Sequence, residues 1–220
     1  MKKTMKKLLV LLLALNVLAG MSGSALAQSS GAQLAPMAAE EGSKRSDALA
    51  AYKKVFEQSR IIWPNEVFEK PAENYCFCPV DVDADKITEV FVTANCNHKE
   101  GYVGMMVYRK GKVDFSYADD AMFYYPKKGI VLMAYAQQGW EIDDYFQVKG
   151  GKVKHLLHTE RCYMESERRG KKDRYTDAKN KKLSKSKFKK KLKGYVGKTK
   201  KKRIVPEYEN TKANREKYFG

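Results

Sequence analysis

The chain has 220 residues and a formal net charge of +17, enough for one domain with a modest core. Its sequence holds no G-x-S-x-G, no H-E-x-x-H and no phosphate-cradling glycine loop, which excludes the enzyme classes that those motifs mark. The charge is unevenly spread: 168–220 carries 22 Lys+Arg against 5 Asp+Glu, whereas 28–167 carries 17 against 21.

Residues 1–27 read as a signal peptide. "MKKTMKK" supplies four lysines, "LLVLLLALNVLAG" an apolar segment, and "SALA" a small-x-small site for cleavage after Ala27. The apolar run, about 13 residues, is too short for a permanent span, and no transmembrane segment is expected after its removal. The expected product is secreted, extracellular or attached to the cell surface. Residues 28–43, poor in bulky apolar side chains, read as a flexible spacer. The domain proper is expected over 44–167, with 168–220 a lysine-rich extension docked on it.

"SKRSDALAAYKKVFEQSRIIW" predicts an amphipathic helix. Leu49, Tyr52, Val55, Phe56, Ser59, Ile62 and Trp63 recur at steps of three and four, and Pro64 and Asn65 are expected to end it. After it the pattern alternates. "NYCFCPVDVDADKITEVFVTAN" predicts two strands around an acidic loop, and hairpins are expected to turn at Lys110-Gly111, between Pro126 and Gly129, and at Gly150-Gly151. Further on, "YTDAKNKKLS" predicts a small hairpin. Ser184 is expected to cap a helix with Phe188, Leu192 and Tyr195 on one side. One more strand follows in "KKKRIVPEYE", then a last helix capped by Asn210 or Thr211. The whole predicts an α+β fold: an N-terminal amphipathic helix packed on an antiparallel β-meander, with small C-terminal helix and strand additions.

The layout of "AYKKVFEQ", "VDVDADKITEVFV", "VYRKGKV", "YYPKKGIVL" and the lysine-rich "KKLSKSKFKKKL…NTKANREKYF" resembles a group of uncharacterised secreted proteins of gut Firmicutes, clostridia among them. In those proteins the acidic loop usually reads D-x-D-G-D-G-x-x-E-L. The resemblance implies an exported α+β domain with calcium dependence.

Asp81, Asp83, Asp85 and Glu89 match positions 1, 3, 5 and 9 of a calcium loop, with the Ile87 carbonyl at position 7. Two positions depart: Lys86 stands where the sharp turn wants glycine, and Val92 stands where a bidentate Glu would close the cage. The loop therefore reads either as a Ca²⁺ site of weak, millimolar affinity or as a structural turn whose aspartates cap loop amides.

Four cysteines, Cys76, Cys78, Cys96 and Cys162, suit disulfides in an exported protein, and three pairings are open. Free thiols and a metal site with His98, His155 or His158 are the alternatives. Strand alternation puts His155 and His158 on opposite faces, and His158 lies about 13 Å along the strand from Cys162, which argues against a shared zinc. On the neighbouring strand, Asp144 sits among Trp140, Ile142, Phe146 and Val148 on the apolar face.

Lys185, Lys187, Lys189, Lys190, Lys191 and Lys193, with Lys200, Lys201, Lys202 and Arg203, form a dense basic cluster. Lysines without a planar fork or stacking aromatics suit nonspecific charge pairing, so the expected partner is an anionic cell-wall polymer or an acidic glycan, not a specific nucleic-acid sequence. The function expected is a non-enzymatic binding protein at the bacterial surface, with no catalytic residue assigned. A hydrolase using Asp143 or Asp144 with His155 or His158 is the alternative.

Overall fold

The computed structural model describes residues 35–61, 70–94, 96, 103–119, 121–164 and 172–220. The expected signal peptide and His98 lie outside them. Helix α1, Ala35–Phe56, begins inside the stretch that composition reads as a spacer. Ala48, Tyr52 and Phe56, four residues apart, are all buried, as one helix face requires.

The helix stops at Phe56, well short of the predicted Trp63. The Asn210 side-chain amide donates to the Phe56 carbonyl at 2.9 Å, occupying one of the terminal acceptors that a continuing helix would use. Beyond it Arg60–Ile61 (β1) pairs with Lys70–Pro71 (β2). Ile62, Trp63 and Pro64 fall outside the described residues.

The α+β class is as expected, but the strands divide into two packed antiparallel sheets instead of one meander. The first contains Cys76–Val80 (β3), Glu89–Thr93 (β4), Val103–Arg109 (β5) and Lys112–Asp119 (β6), with Tyr208–Glu209 (β13) on the β3 edge. The second contains Ala121–Tyr125 (β7), Ile130–Gln137 (β8), Trp140–Lys149 (β9), Lys152–Cys162 (β10) and Arg174–Asp177 (β11), with Lys202–Ile204 (β12) beside β7. The three predicted hairpin turns fall between β5 and β6, β7 and β8, and β9 and β10. Lys110 and Gly111 both take positive φ, 50° and 79°, as does Gly150-Gly151, the geometry whose twist matches a two-residue hairpin.

Side chains alternate between three cores. Phe91, Met105 and Val107 from the first sheet meet Met122, Val131, Met133, Phe146 and Val148 from the second. On the opposite face of the first sheet, Phe77, Val90, Val92 and Met106 pack under α1 and Phe219. On the outer face of the second, Ile130, Leu132, Tyr145, Leu157 and Tyr175 pack under the helix Lys185–Val196 (α2). The layers run helix, sheet, sheet, helix, so β4 and β5 are buried on both faces.

The last helix, Lys212–Phe219 (α3), is capped by Thr211, whose hydroxyl accepts from the Asn214 amide. The Phe219 ring stacks on Phe56, with centroids 5.5 Å apart and planes 7° apart. Lys53 Nζ lies 2.8 Å from Glu216. The basic half of the chain is therefore folded onto the acidic half at both outer faces. "KKKRIVPEYE" gives two strands, β12 and β13, one in each sheet, with Pro206 between them.

Candidate functional site

Three clusters stand out, and the first is the acidic loop between β3 and β4. Oxygens of Asp81, Asp83 and Glu89 lie within 4.8 Å of one another, a group able to hold a metal ion. Ala84 and Lys86 take φ of 63° and 70°. Left-handed backbone costs a non-glycine residue roughly 1 kcal/mol, so the loop keeps its sharp turns at positions where side chains resist them. Asp83 accepts from the Asp85 amide, Asp85 from Ile87 and Asp81 from Lys86. Asp85 thus caps the turn and stands beside the group of three.

The loop is tied to both sheets. Val82 is fully buried between them, its carbonyl accepts from Gly129, and its amide donates to Glu89 Oε2 at 3.0 Å. Asp83 Oδ2 accepts from the Gly150 amide at 2.9 Å. A side chain at Gly129 would meet the Val148 carbonyl and the Asp83 side chain, so this approach needs glycine.

Carboxyl groups crowd together here. Glu89 is 2% exposed, and burial, with Asp83 and Asp85 nearby, pushes its pKa up to about 8. Asp85 is pushed up to about 6 by burial and by Asp83 and Asp81. One oxygen of Asp81, Oδ1, is buried with no hydrogen-bond partner among the described residues. Orphaned buried oxygen and mutual carboxylate repulsion both fit a site shaped for a hard cation.

The second cluster is the basic face of α2. Ser184 caps the helix as predicted, its Oγ accepting from the Lys187 amide, and Gly197 closes it with φ of 62°. Phe188 and Val196 are buried, with Leu192 between them. Tyr195, expected on that face, is 38% exposed. The docking period is 188, 192, 196, and Tyr195 lies one step off it. The Phe188 ring packs 5.9 Å from Tyr145 and 5.2 Å from Tyr175.

Lys185, Lys187, Lys189, Lys190, Lys191 and Lys193 are all exposed on α2, as are Lys200, Lys201, Lys202 and Arg203 beyond it. Lys191 Nζ lies 3.7 Å from Asp177, and Lys201 Nζ sits 4.2 Å from the Phe123 ring centre. The other five lysines of α2 have no ion pair among the described residues.

The third cluster corrects the expected strand geometry. His155 Nε2 lies 2.8 Å and His158 Nδ1 3.0 Å from the same atom, Asp144 Oδ1. They share a face because the β9–β10 register shifts between His155 and Leu157, pairing His155 with Phe146 and His158 with Asp144. The bulge inserts one residue and resets the alternation. Leu156 and Leu157 both turn to the outer core under α2, and this consecutive leucine pair inside an alternating strand is the sequence signal that marks it.

His158 Nε2 is 3.0 Å from Glu160 Oε1, which also lies 3.1 Å from Arg174. Its hydrogen bond to Asp144 raises the His158 pKa above the ordinary imidazole value, against burial and with help from Glu160. Burial alone would raise Asp144, but its bonds to His158 and His155 outweigh that and hold it below the usual carboxylate range. Asp143, next in sequence, lies in the paired position of Thr159 and bonds Arg161 at 2.7 Å. Adjacent strand residues face opposite ways, so Asp143 and Asp144 do not form one paired-carboxylate centre.

Cys76 and Cys96 form a disulfide with Cα atoms 5.3 Å apart, while Cys78 and Cys162 join no disulfide among the described residues. Burial, with Glu207 nearby, pushes the Cys78 pKa up to about 11, which keeps it a neutral, unreactive thiol at neutral pH. The Cys162 thiol donates to the Met164 carbonyl. Among the described residues no helix is long and apolar enough to cross a membrane.

Fold and sites together define a disulfide-bonded α+β sandwich with an acidic metal-competent loop and a lysine-bearing helix. No protein family, characterised protein or solved structure matches the chain.

Proposed function

We propose that the protein is exported and acts as a non-enzymatic binding protein near the bacterial cell surface. Its α2 face and the following basic segment contact a polyanion, an anionic cell-wall polymer or an acidic glycan. The observation that carries this reading is the division of α2 into a docked apolar edge and a face of six exposed lysines, five of which have no ion pair among the described residues. Five pairs of those lysines stand three or four positions apart: 185–189, 187–190, 187–191, 189–193 and 190–193. Like-charge pairs at such spacing cost roughly 0.2–0.5 kcal/mol each, so about 1–2.5 kcal/mol of repulsion is available for an anionic partner to relieve. The docked Phe188, Leu192 and Val196 hold the helix in place against it, and burial of such side chains contributes about 1.5–3 kcal/mol apiece.

The second part of the reading is that the acidic loop takes Ca²⁺, through Asp81, Asp83 and Glu89. The ion would supply positive charge where three carboxylates crowd and one oxygen lacks a partner. Because the loop is bonded to Gly129 and Gly150, neutralising it would brace one end of the sandwich.

The test is retention on heparin and on purified wall polymer across a salt series, with and without Lys187→Gln, Lys189→Gln, Lys190→Gln and Lys193→Gln combined. Wild-type protein should elute at moderate salt and the combined variant in the wash. Equal retention of the two would sink the reading. A wash of the producing cells with a chelator, compared with a salt wash, separates the roles of loop and lysines.

A further inference from the structure

We infer that His158 is a pH-sensitive clamp: bonded to a carboxylate on each side, it fastens the edge strand β11, and with it α2, to the second sheet when its ring carries two protons.

The hydrogen bonds are the first argument. His158 Nδ1 stands 3.0 Å from Asp144 Oδ1, and Nε2 stands 3.0 Å from Glu160 Oε1. A carboxylate only accepts, and a neutral imidazole has a single N–H to donate. Both bonds form together only in the imidazolium, so the proton is part of the folded arrangement. The same Glu160 oxygen accepts from Arg174 of β11 at 3.1 Å. One ring thus joins β9 to β10 and, through Glu160, to β11.

The charges around the ring are the second. Asp144 from β9, Glu160 and His155 from β10 and Arg174 from β11 are bonded into the cluster. The first sheet, packed on this inner face, presents Phe91, Met105 and Val107, which carry no charge. Two carboxylates against one guanidinium leave room for one more positive charge, and the His158 imidazolium supplies it. The bond to Asp144 raises the His158 pKa above its ordinary 6.5, as this arrangement requires.

Position in the fold is the third. β11 ends the second sheet and pairs with β10 alone. Thr176, directly opposite His158 on β11, is fully buried. Its two neighbours hold α2: the Tyr175 ring lies 5.2 Å from Phe188, and Asp177 lies 3.7 Å from Lys191. The Tyr175 carbonyl also accepts from the Leu183 amide, one residue before the Ser184 cap. The His158 and Glu160 side chains are 19% and 30% exposed, so solvent protons reach the ring.

The direction follows from the raised pKa. The clamp's contribution is fully present below about pH 6.5, the unfolded value, and is lost as pH rises through the folded one. One carboxylate then loses its donor, and the β10–β11 edge loosens under α2.

The test uses the whole mature chain labelled with ¹⁵N, its His158 ring assigned through bonds from the backbone. At pH 7 both His158 ring nitrogens should carry protons and show the near-equal shifts of an imidazolium, with a titration midpoint above 6.5. Glu160→Gln should shift that midpoint down. Hydrogen-exchange protection of β11 and α2, measured relative to β4 and β5 so that the slope of the acidic loop cancels, should fall from pH 6 to 9. In His158→Gln it should start lower and stay level. A His158 ring with one protonated nitrogen at pH 7 in the unsubstituted protein would overturn the inference, whatever the variants do. So would equal β11 protection in wild type and His158→Gln at pH 6. Neither readout involves a polyanion, so the outcome is independent of the reading of the lysine face.

Discussion

Glu89→Gln isolates the electrostatics of the acidic loop. Glutamine keeps an oxygen that can accept the Val82 amide hydrogen bond and removes only the charge. In the calcium-free protein, the folded-state pKa of Glu89 stands at about 8, against 4.5 for the unconstrained group. Below pH 4.5 the side chain is protonated in both states and the buried acid costs little. Between 4.5 and 8 the unfolded chain ionises while the folded one holds its proton, so stability falls as pH rises. Above 8 the loss is complete. At up to about 1.4 kcal/mol per pH unit across a window of roughly 3.5 units, the total is on the order of 4–5 kcal/mol, with about 3 kcal/mol already lost at pH 7. The assay is urea unfolding in EGTA at pH 5, 7 and 9. Wild-type protein should weaken across the series, and the variant should be flatter, with a residual slope near pH 4–6 from Asp85. Adding Ca²⁺ should recover stability at pH 9 for wild type and not for the variant. A wild-type profile flat from pH 5 to 8.5 without calcium, or a variant with the wild-type slope, would refute the reasoning.

Combining Lys187→Gln, Lys189→Gln, Lys190→Gln and Lys193→Gln should stabilise α2 by about 1 kcal/mol in low salt and by less in high salt, read from thermal melts. Phe188→Ala should cost about 3–5 kcal/mol by emptying the contact between Tyr145 and Tyr175. Hydrogen exchange should then speed up in α2 before β4 or β5. Reducing the Cys76–Cys96 disulfide, which spans 20 residues, should lower stability by about 3 kcal/mol, seen as a shift in urea midpoint with reductant.

Much of the fold was legible because its signals are local. The hairpins announce themselves through Lys110-Gly111 and Gly150-Gly151, whose positive φ the turn demands. Ser184 and the Phe188–Leu192 spacing give away α2. What escaped depends on distant contacts. The end of α1 is set by Asn210, 154 residues away, while the apolar period runs on past it toward Trp63. The division into two sheets was only hinted at by the continuous runs Val90-Phe91-Val92 and Met105-Met106-Val107. Such runs mean both faces are covered, and alternation alone finds one. For the sites, the acidic spacing pointed to Asp81, Asp83, Asp85 and Glu89, of which Asp81, Asp83 and Glu89 come together in one group. Strict alternation misplaced His155 and His158, because one inserted residue reverses every parity argument downstream of it.

The acidic loop and the lysine face are mechanically connected. Asp83 holds Gly150 and Val82 holds Gly129, so the loop grips the two turns that bracket β8 and β9, with β10 following. The outer faces of those strands carry Leu132, Tyr145 and Leu157, the platform on which Phe188 and Val196 dock, and the inner faces of β9 and β10 carry Asp144, His155 and His158. Neutralising the loop therefore stiffens the strands that present both other clusters. If the proposed reading holds, Ca²⁺ would strengthen capture of the polyanion without touching it: by favouring the folded platform it would favour the helix that carries the charges. Chelation should then lower polyanion affinity most at high pH, where Glu89 is ionised and the loop repels itself. In Glu89→Gln it should change affinity little. A chelator effect of equal size in wild type and variant would place calcium at the polyanion itself and break the mechanical link.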